Sequence, residues 1–285
     1  MAYNFNESIN WDYVKQNEGI ILKDIVFGNV YGDTIPLMTK QLGVKTSEKI
    51  HPSTIEAVLQ EIGNCAFESN GGLNISERTI DTHNKKVNVG FCEDTLLSKF
   101  AEYQVRVGAD EGAMPFEAEI IEGLVKSVSE QVETLVWEDL VNADGINGGE
   151  STATTAYDRV MEVYSAMPEA ILEDGIIFVN PATFRAYVME LVNKNLYHYN
   201  PANGDLSEIF LPGSGVKVRK ARGLKSNDLF ATSPKNMIYG TDFLNNKEEV
   251  KVWYSDDAGE WRIKMRFNAG AQVAFPDLVV KRTYA

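Results

Sequence analysis

The stretch that decides the fold reads GIIFVNPATFRAY and spans residues 175–187. Its first five residues form a continuous apolar run, which predicts a strand buried on both faces. The Asn180-Pro181 pair then predicts a helix start, with Asn180 as the N-cap and Pro181 in the first turn. The apolar face of this helix is expected to carry Phe184, Tyr187, Val188 and Leu191.

A second helix is expected just before this strand. Ser151 or Thr152 can cap it, and Pro168 ends it. Helix, strand and helix together predict a compact αβα unit. The glycine-rich residues 144–150 before the unit (DGINGGE) have the wrong spacing for a calcium loop, and we interpret them as a flexible connection.

A long amphipathic helix is expected farther upstream, over residues 114–142. Pro115 suits its first turn, and about 27 residues at ~1.5 Å each make a rod of roughly 40 Å. Its apolar stripe is formed by Phe116, Ile120, Leu124, Val128, Val132, Leu135, Val136 and Leu140. Its other faces carry an acidic surface that we expect to be solvated, made of Glu117, Glu119, Glu122, Glu130, Glu133, Glu138 and Asp139.

The N-terminal part of the chain lacks an obvious face to bury. Residues 1–49 are polar with short apolar clusters, which predicts an extended arm that packs on another subunit. Deleting residues 1–25 is therefore expected to leave a folded but assembly-impaired protein. Residues 52–62 have apolar side chains at helical spacing and predict a short helix. Residues 64–91 predict a long polar hairpin, which is marginal alone in water.

The C-terminal quarter is predicted to be strand. Residues 250–254 and 261–267 alternate between apolar and charged side chains around a turn at 256–259, as expected of a two-faced antiparallel hairpin. A last strand is expected over residues 272–280, interrupted by Pro276. Three short strands are expected between the αβα unit and this hairpin, at residues 216–218, 228–231 and 236–239.

The charge balance excludes some classes of protein. The chain has 285 residues and a net charge of −14. This negative charge argues against a protein whose main function is to bind nucleic acid. No apolar run approaches the ~18 residues of a membrane span. The N-terminus has no signal-peptide pattern, and two cysteines are too few for a disulfide framework, so we expect an acidic protein of the reducing cytoplasm.

The sequence offers little for catalysis. The three histidines, His51, His83 and His198, lie in no metal-binding pair, and we expect solvated or capping roles. Cys65 and Cys92 are expected to be small buried hydrophobic residues. The Ser255–Trp261 segment is one residue short of a sialidase-type aspartate box and fits a hairpin turn better. We therefore predict no catalytic, cofactor-binding or metal-binding residue, no cofactor, and no enzyme activity.

The order of elements resembles one family along the whole chain: the major capsid proteins of tailed bacteriophages with the HK97 fold. Residues 175–187 resemble the strand and helix entry of its axial (A) domain. Residues 237–243 resemble the turn leaving that domain, with Thr241 inserted, and residues 266–278 resemble the family's terminal strand. The resemblance implies an α+β fold. Its parts would be an N-terminal arm (1–49), a peripheral (P) domain with a spine helix (50–63, 96–148 and 248–285), an E-loop (64–95) and an A-domain (149–247).

The resemblance implies a structural protein that self-assembles as hexamers and pentamers into an icosahedral head around double-stranded DNA. DNA would be held without sequence-specific contact, and there would be no membrane partner. A portal and separate scaffolding or decoration proteins are implied partners, with assembly in the host bacterial cytoplasm and residence in the virion. Some relatives crosslink an E-loop lysine, but we do not expect Lys85 or Lys86, placed near the hairpin tip, to do so. Two alternatives stay open: an encapsulin-like cargo shell, and a monomeric carbohydrate-binding or hydrolytic module.

Two charged stretches have competing interpretations. Residues 216–225 hold five cations and no acid, and their alternation favours pairing with a neighbouring subunit's carboxylates over contact with DNA. Residues 110–150 hold eleven acids and one base, Lys126. These acids either keep the subunit soluble or repel packaged DNA from the shell wall. In the second case, replacing Glu122, Glu130 and Glu133 by lysine would impair packaging or release.

Overall fold

The computed structural model describes most of the chain. The described residues are 17–28, 32–59, 70–92, 95, 98, 99, 102, 116–196, 207–242 and 249–284. They form two main sheets, two short ribbons and four helices of more than one turn. Pro115, Cys65 and His198 lie outside the described residues.

The predicted long helix is confirmed as α2, Phe116–Val141. Its buried face is broader than the predicted stripe, since Ile121, Val125 and Trp137 are also buried while Leu124 is only half-buried. The helix is packed on more than one side, so a single narrow stripe underestimates what it buries. Trp137, at the centre, contacts the rings of two buried phenylalanines, Phe178 and Phe230.

The prediction of an extended arm is wrong for residues 18–27, which form helix α1, Glu18–Phe27. This helix packs on α2 of its own chain, and its buried side chains join the main core. They are Ile21, Leu22, Ile25, Val26 and Phe27. The Glu18 carboxylate also accepts a hydrogen bond from the Val250 amide at 2.8 Å. The apolar clusters that had no obvious face along the sequence therefore find one on α2.

A five-stranded sheet covers α2. It is built from β1 (Thr39–Leu42), β6 (His83–Cys92), β12 (Met237–Thr241), β13 (Glu249–Ser255) and β14 (Glu260–Val273). The long β14 pairs antiparallel with three strands, β6, β12 and β13. The predicted hairpin around residues 256–259 is confirmed, with Gly259 at φ 60° in its turn.

Two short two-stranded ribbons are formed by the N-terminal half of the chain. The first pairs β2 (Ser47–Ile50) with β5 (Arg78–Asp81), and the second pairs β3 (Ser53–Ala57) with β4 (Gly71–Ile75). The helix predicted over residues 52–62 is wrong, because its first half is strand β3. The helical spacing extends over only a few residues, so the local preference for a helix is weak. The pairing of β3 with β4 outweighs it.

The αβα unit is confirmed around a six-stranded sheet. The strand order is β7 (Asn147–Ser151), β15 (Val280–Tyr284), β11 (Asp228–Thr232), β8 (Ile176–Val179), β10 (Lys217–Lys220) and β9 (Glu208–Phe210). Helices α3 (Ala156–Ala166) and α4 (Pro181–Asn193) pack against it. All four residues of β8 are buried, as a strand covered on both faces must be.

Within this unit, some of the predicted local features are confirmed and others are wrong. Asn180 caps α4 as predicted, accepting from the Ala182 amide at 2.9 Å. The predicted cap of α3 is wrong, because Thr155 and not Ser151 or Thr152 holds that position. The flexible connection predicted over residues 144–150 is also wrong in part, since β7 occupies its second half and pairs in parallel with β15.

The structure of the C-terminal end also differs from the prediction. No strand spans residues 272–280: β14 ends at Val273, a short 3-10 helix covers Pro276–Leu278, and β15 begins at Val280. Pro276 starts a turn here, because a proline cannot donate to a sheet ladder. The turn carries β15 into the six-stranded sheet.

Candidate assembly surfaces

The β3–β4 hairpin is exposed along both strands. Its register places Ile55 opposite Leu73 and Ser53 opposite Ile75, so these side chains share one face. Ile55 is 76% exposed, Leu73 60% and Ile75 58%. The opposite face carries Thr54, Glu56 and Asn74. The ribbon is thus amphipathic, but the described part of its own chain does not cover the apolar face.

The sheet formed by β6, β14 and β13 has two chemically different faces. Its inner face packs towards α2 with Val250, Ile263, Met265 and their cross-strand neighbours. Its outer face carries five cations, Lys86, Lys251, Arg262, Lys264 and Arg266. We call this the cationic face. Trp253 lies on it opposite Arg262 and is 40% exposed.

Like charges stand directly opposite each other on the cationic face. The register pairs Lys86 with Arg266, and Lys251 with Lys264, while it also places Glu249 opposite Arg266 on the β13 side. Like-charged cross-strand pairs destabilise a sheet. The alternation of charge in residues 250–254 and 261–267 was visible in the sequence, but the third strand, β6, completes the patch only in the fold.

The acidic surface predicted on α2 is only partly solvated. Glu133 is 2% exposed, and its Oε1 accepts hydrogen bonds from the Thr34 amide at 2.7 Å and from the Thr34 hydroxyl. The Trp137 indole in turn donates to the Thr34 hydroxyl at 3.0 Å. Burial raises the pKa of Glu133, although the Thr34 hydrogen bonds act in the opposite direction. Glu133 therefore ties residues 33–35 to α2 and cannot face packaged DNA.

Two other acids of α2 also have partners in their own chain. Glu130 pairs with Arg222 at 3.1 Å. Asp139 accepts a hydrogen bond from the Ala271 amide at 3.2 Å, and desolvation by burial raises its pKa. With Glu133 buried and Glu130 paired, the predicted triple lysine variant would damage the fold. It could not test repulsion of DNA.

Three of the five cations in the basic stretch at residues 216–225 form ion pairs within the subunit. Glu208 pairs with both Lys217 (2.9 Å) and Arg219 (3.1 Å). Arg222 pairs with Asp33 at 2.9 Å in addition to Glu130. The prediction that these cations pair with a neighbour's carboxylates is wrong for Lys217, Arg219 and Arg222, since their partners lie on β9, α2 and the segment before β1.

The structure also describes several of the remaining residues that the sequence singled out. His51 and His83 are exposed as predicted, whereas Cys92 is exposed and the prediction of a buried cysteine is wrong. Lys85 and Lys86 lie within β6 opposite β14, not near the hairpin tip. No group of three His, Cys, Asp or Glu side chains in the described ranges is placed to hold a metal ion. Among the helices that the structure describes, none combines the length and apolar character needed to cross a membrane.

Comparison with known proteins relates the fold to one class of solved structures. No protein-family model matches the sequence, and no curated protein matches it. A chain of the satellite phage P4 procapsid, solved with size determination (Sid) protein, aligns with a TM-score of 0.61 at 8% identity, covering 100% of this chain and 98% of its own. A virus-like particle from Pyrococcus furiosus aligns at 0.57 and 11% identity, covering 95% and 99% respectively.

A third structure, from Gordonia phage Cozz, aligns with a TM-score of 0.55 at 14% identity and covers 89% of this chain and 87% of its own. At such identities the likeness concerns the fold and not particular residues. It extends over 89% to 100% of this chain. This chain therefore has the α+β, HK97-like fold of phage capsid proteins.

Proposed function

We propose that this chain is the major capsid protein of a tailed bacteriophage, which self-assembles as hexamers and pentamers into an icosahedral head around double-stranded DNA. The fold supports this proposal. The single observation that carries it is the β3–β4 hairpin, whose apolar face is not covered by any described part of its own chain. A monomer gains nothing from such a ribbon, whereas a shell subunit needs apolar surface that a neighbour completes.

We propose the following role in the capsid subunit for each segment of the chain. Residues 64–95 would form the E-loop that reaches a neighbour. The segments 50–63, 96–148 and 248–285 would form the P-domain around α2, and residues 149–247 the A-domain. Residues 1–49 would form the N-terminal arm, of which α1 is anchored on its own subunit.

The proposed partners are further copies of this chain, a portal, and separate scaffolding or decoration proteins. Packaged DNA would be enclosed without sequence-specific contact. Assembly would take place in the host bacterial cytoplasm, and the mature protein would reside in the virion. The chain would act as a structural protein, without an enzymatic role.

Expression of the full chain followed by size-exclusion chromatography and negative-stain microscopy tests the proposal. We expect pentamers, hexamers or closed particles. The variant Ile55→Ser/Leu73→Ser should stay in small species with unchanged unfolding, because both side chains are already exposed in the subunit. Thr54→Ala/Asn74→Ala, on the polar face of the same ribbon, is the matched control and should assemble.

A purely monomeric wild-type protein would contradict the proposal and favour a monomeric module. Particles from phage-infected cells should contain DNA protected from nuclease. Particles that enclose a protein cargo and no DNA would instead indicate a cargo shell of the same fold.

A further inference from the structure

Asn70 and Gly71 lie at one end of the β3–β4 hairpin. Asn70 is exposed and directly precedes β4, and every residue of both strands is exposed as well. The Val58 amide donates to the Asn70 carbonyl at 3.3 Å, which is long for a backbone hydrogen bond. A long bond at the end of a two-stranded ribbon opens more readily than a bond inside a larger sheet.

The strand register leaves the Gly71 amide outside the hydrogen-bond ladder. Because Val58 donates to Asn70, these two residues form a hydrogen-bonded pair. The next pair, Gly71 opposite Ala57, is then of the alternate kind, whose amides point away from the partner strand. Glycine also has no Cβ that could shield its amide nitrogen. The Gly71 nitrogen is therefore open to reaction at the edge of the ribbon.

The side chain that this nitrogen can reach is that of Asn70. An asparagine side-chain carbon and the amide nitrogen of the next residue can close a five-membered ring. Among the described residues, none holds the Asn70 side chain by a hydrogen bond. We propose that Asn70 is a site of self-modification, at which the exposed hairpin gains a carboxylate by reaction with its own Gly71 amide. This inference goes beyond the proposed function and does not depend on it.

The reaction has two steps. The Gly71 nitrogen loses its proton to base in the solvent and attacks the side-chain carbon of Asn70, so that an N–C bond forms. The side-chain nitrogen takes up a proton and leaves as ammonia, which gives a cyclic imide. Water then adds to one of the two imide carbonyls and breaks its C–N bond, which yields aspartate or isoaspartate. The net reaction consumes one water and releases one ammonia, without a change of oxidation state.

The new carboxylate lies on the ribbon face that already carries Glu56. The register places Glu56 opposite Gly72, and therefore diagonally across from residue 70. Like charges at neighbouring cross-strand positions weaken strand pairing. Isoaspartate also lengthens the backbone by one carbon and so displaces the end pair. The modification therefore changes both the charge and the pairing of this end of the hairpin.

The chain contains a matched internal control. Asn147 is also followed by a glycine, but both residues lie in β7, which pairs with β15 in the six-stranded sheet. A backbone held extended in a strand keeps the glycine nitrogen away from the asparagine side chain. We expect conversion to be at least about tenfold slower at Asn147 than at Asn70, because a strand of a large sheet opens less readily.

Peptide mapping by mass spectrometry tests the inference on the folded full chain, incubated at mildly alkaline pH. It resolves Asn70 from Asn147 and from Asn203, the third asparagine followed by glycine. The peptide with Asn70 should convert, whereas the peptide with Asn147 should stay unchanged. In urea both should convert at similar rates, because Asn147 loses its protection. Hydroxylamine, which cleaves the cyclic imide, should cut the folded chain after residue 70. Asn70→Gln should prevent this cut, because its longer side chain closes the ring poorly.

Three results would overturn the inference. Asn70 could stay unchanged in the folded chain and convert only in urea, which would show that the ribbon end protects it. Equal conversion of Asn70 and Asn147 in the folded chain would remove the structural basis of the argument. Loss of ammonia together with covalent ladders on a denaturing gel would show that a lysine of another copy attacks Asn70 instead of Gly71. Because all of these measurements use the folded chain, a wild type that forms no particle would contradict the capsid function and leave this inference standing.

Discussion

Replacing Glu133 with alanine is expected to destabilise the subunit by about 3 kcal/mol. The substitution removes the acceptor of two buried donors, the Thr34 amide and the Thr34 hydroxyl. Each buried donor left without a partner costs about 1 to 3 kcal/mol. Part of that loss is offset, because a buried carboxylate whose Oε2 has no hydrogen-bond partner within the described structure is itself unfavourable. Two such donors would cost about 2 to 6 kcal/mol, and the offset brings the expected net loss to about 3 kcal/mol.

The pH dependence gives a second measurement on the same residue. Burial raises the folded-state pKa of Glu133 above its unfolded value. The folded state then holds its proton more tightly, so stability falls as pH rises from the unfolded pKa to the folded pKa. Glu133→Gln keeps an acceptor but cannot titrate. Wild type should therefore gain stability relative to Glu133→Gln as pH is lowered through that window.

Urea unfolding of unassembled subunits, followed by tryptophan fluorescence, measures both effects. Glu138→Ala, an exposed acid on the same helix, is the control and should change stability by less than about 0.5 kcal/mol. A loss below about 1 kcal/mol for Glu133→Ala would refute the assigned hydrogen-bond role. Equal pH profiles for wild type and Glu133→Gln would refute the burial argument.

Three further predictions concern packing and caps. Gly223→Ala should destabilise the subunit by about 1 to 3 kcal/mol, because the added Cβ would collide with the Glu133 carbonyl oxygen. Gly215→Ala has open space around its Cβ and should leave the stability unchanged. Thermal unfolding compares the two variants. Asn180→Ala should cost about 1 kcal/mol in the same assay by removing the cap of α4. Deleting residues 1–27 should cost more than about 5 kcal/mol, since five apolar side chains of α1 leave the core. A soluble deletion variant with wild-type urea unfolding would show that α1 is not part of the folding unit.

The sequence by itself determined the elements whose signal is local. The run at 175–179 and the Asn180-Pro181 pair specify β8 and the start of α4, because a doubly buried strand and a capped helix depend only on adjacent residues. The length of α2 and the hairpin around residues 256–259 follow from periodicity alone. The order of these elements was enough to indicate the fold.

Tertiary structure decided the elements whose partners are distant along the chain. Residues 53–57 become a strand because β4 pairs with them, and residues 147–151 become a strand because β15 lies alongside. Helix α1 finds its face only when α2 is present. Neither the long-range strand pairing nor the packing face of α1 can be recognised from the local spacing of apolar residues.

The same distinction holds for the charged groups. Glu133 resembled other helical acids in sequence, yet Thr34, 99 residues away, makes it a buried acceptor. Lys86 and Arg266 are 180 residues apart and share a face only through the pairing of β6 with β14. Sequence fixes how many charges a chain carries. Which charges are buried, paired or gathered on one surface depends on contacts between distant segments, because electrostatic energy is set by separation in space and by access of water.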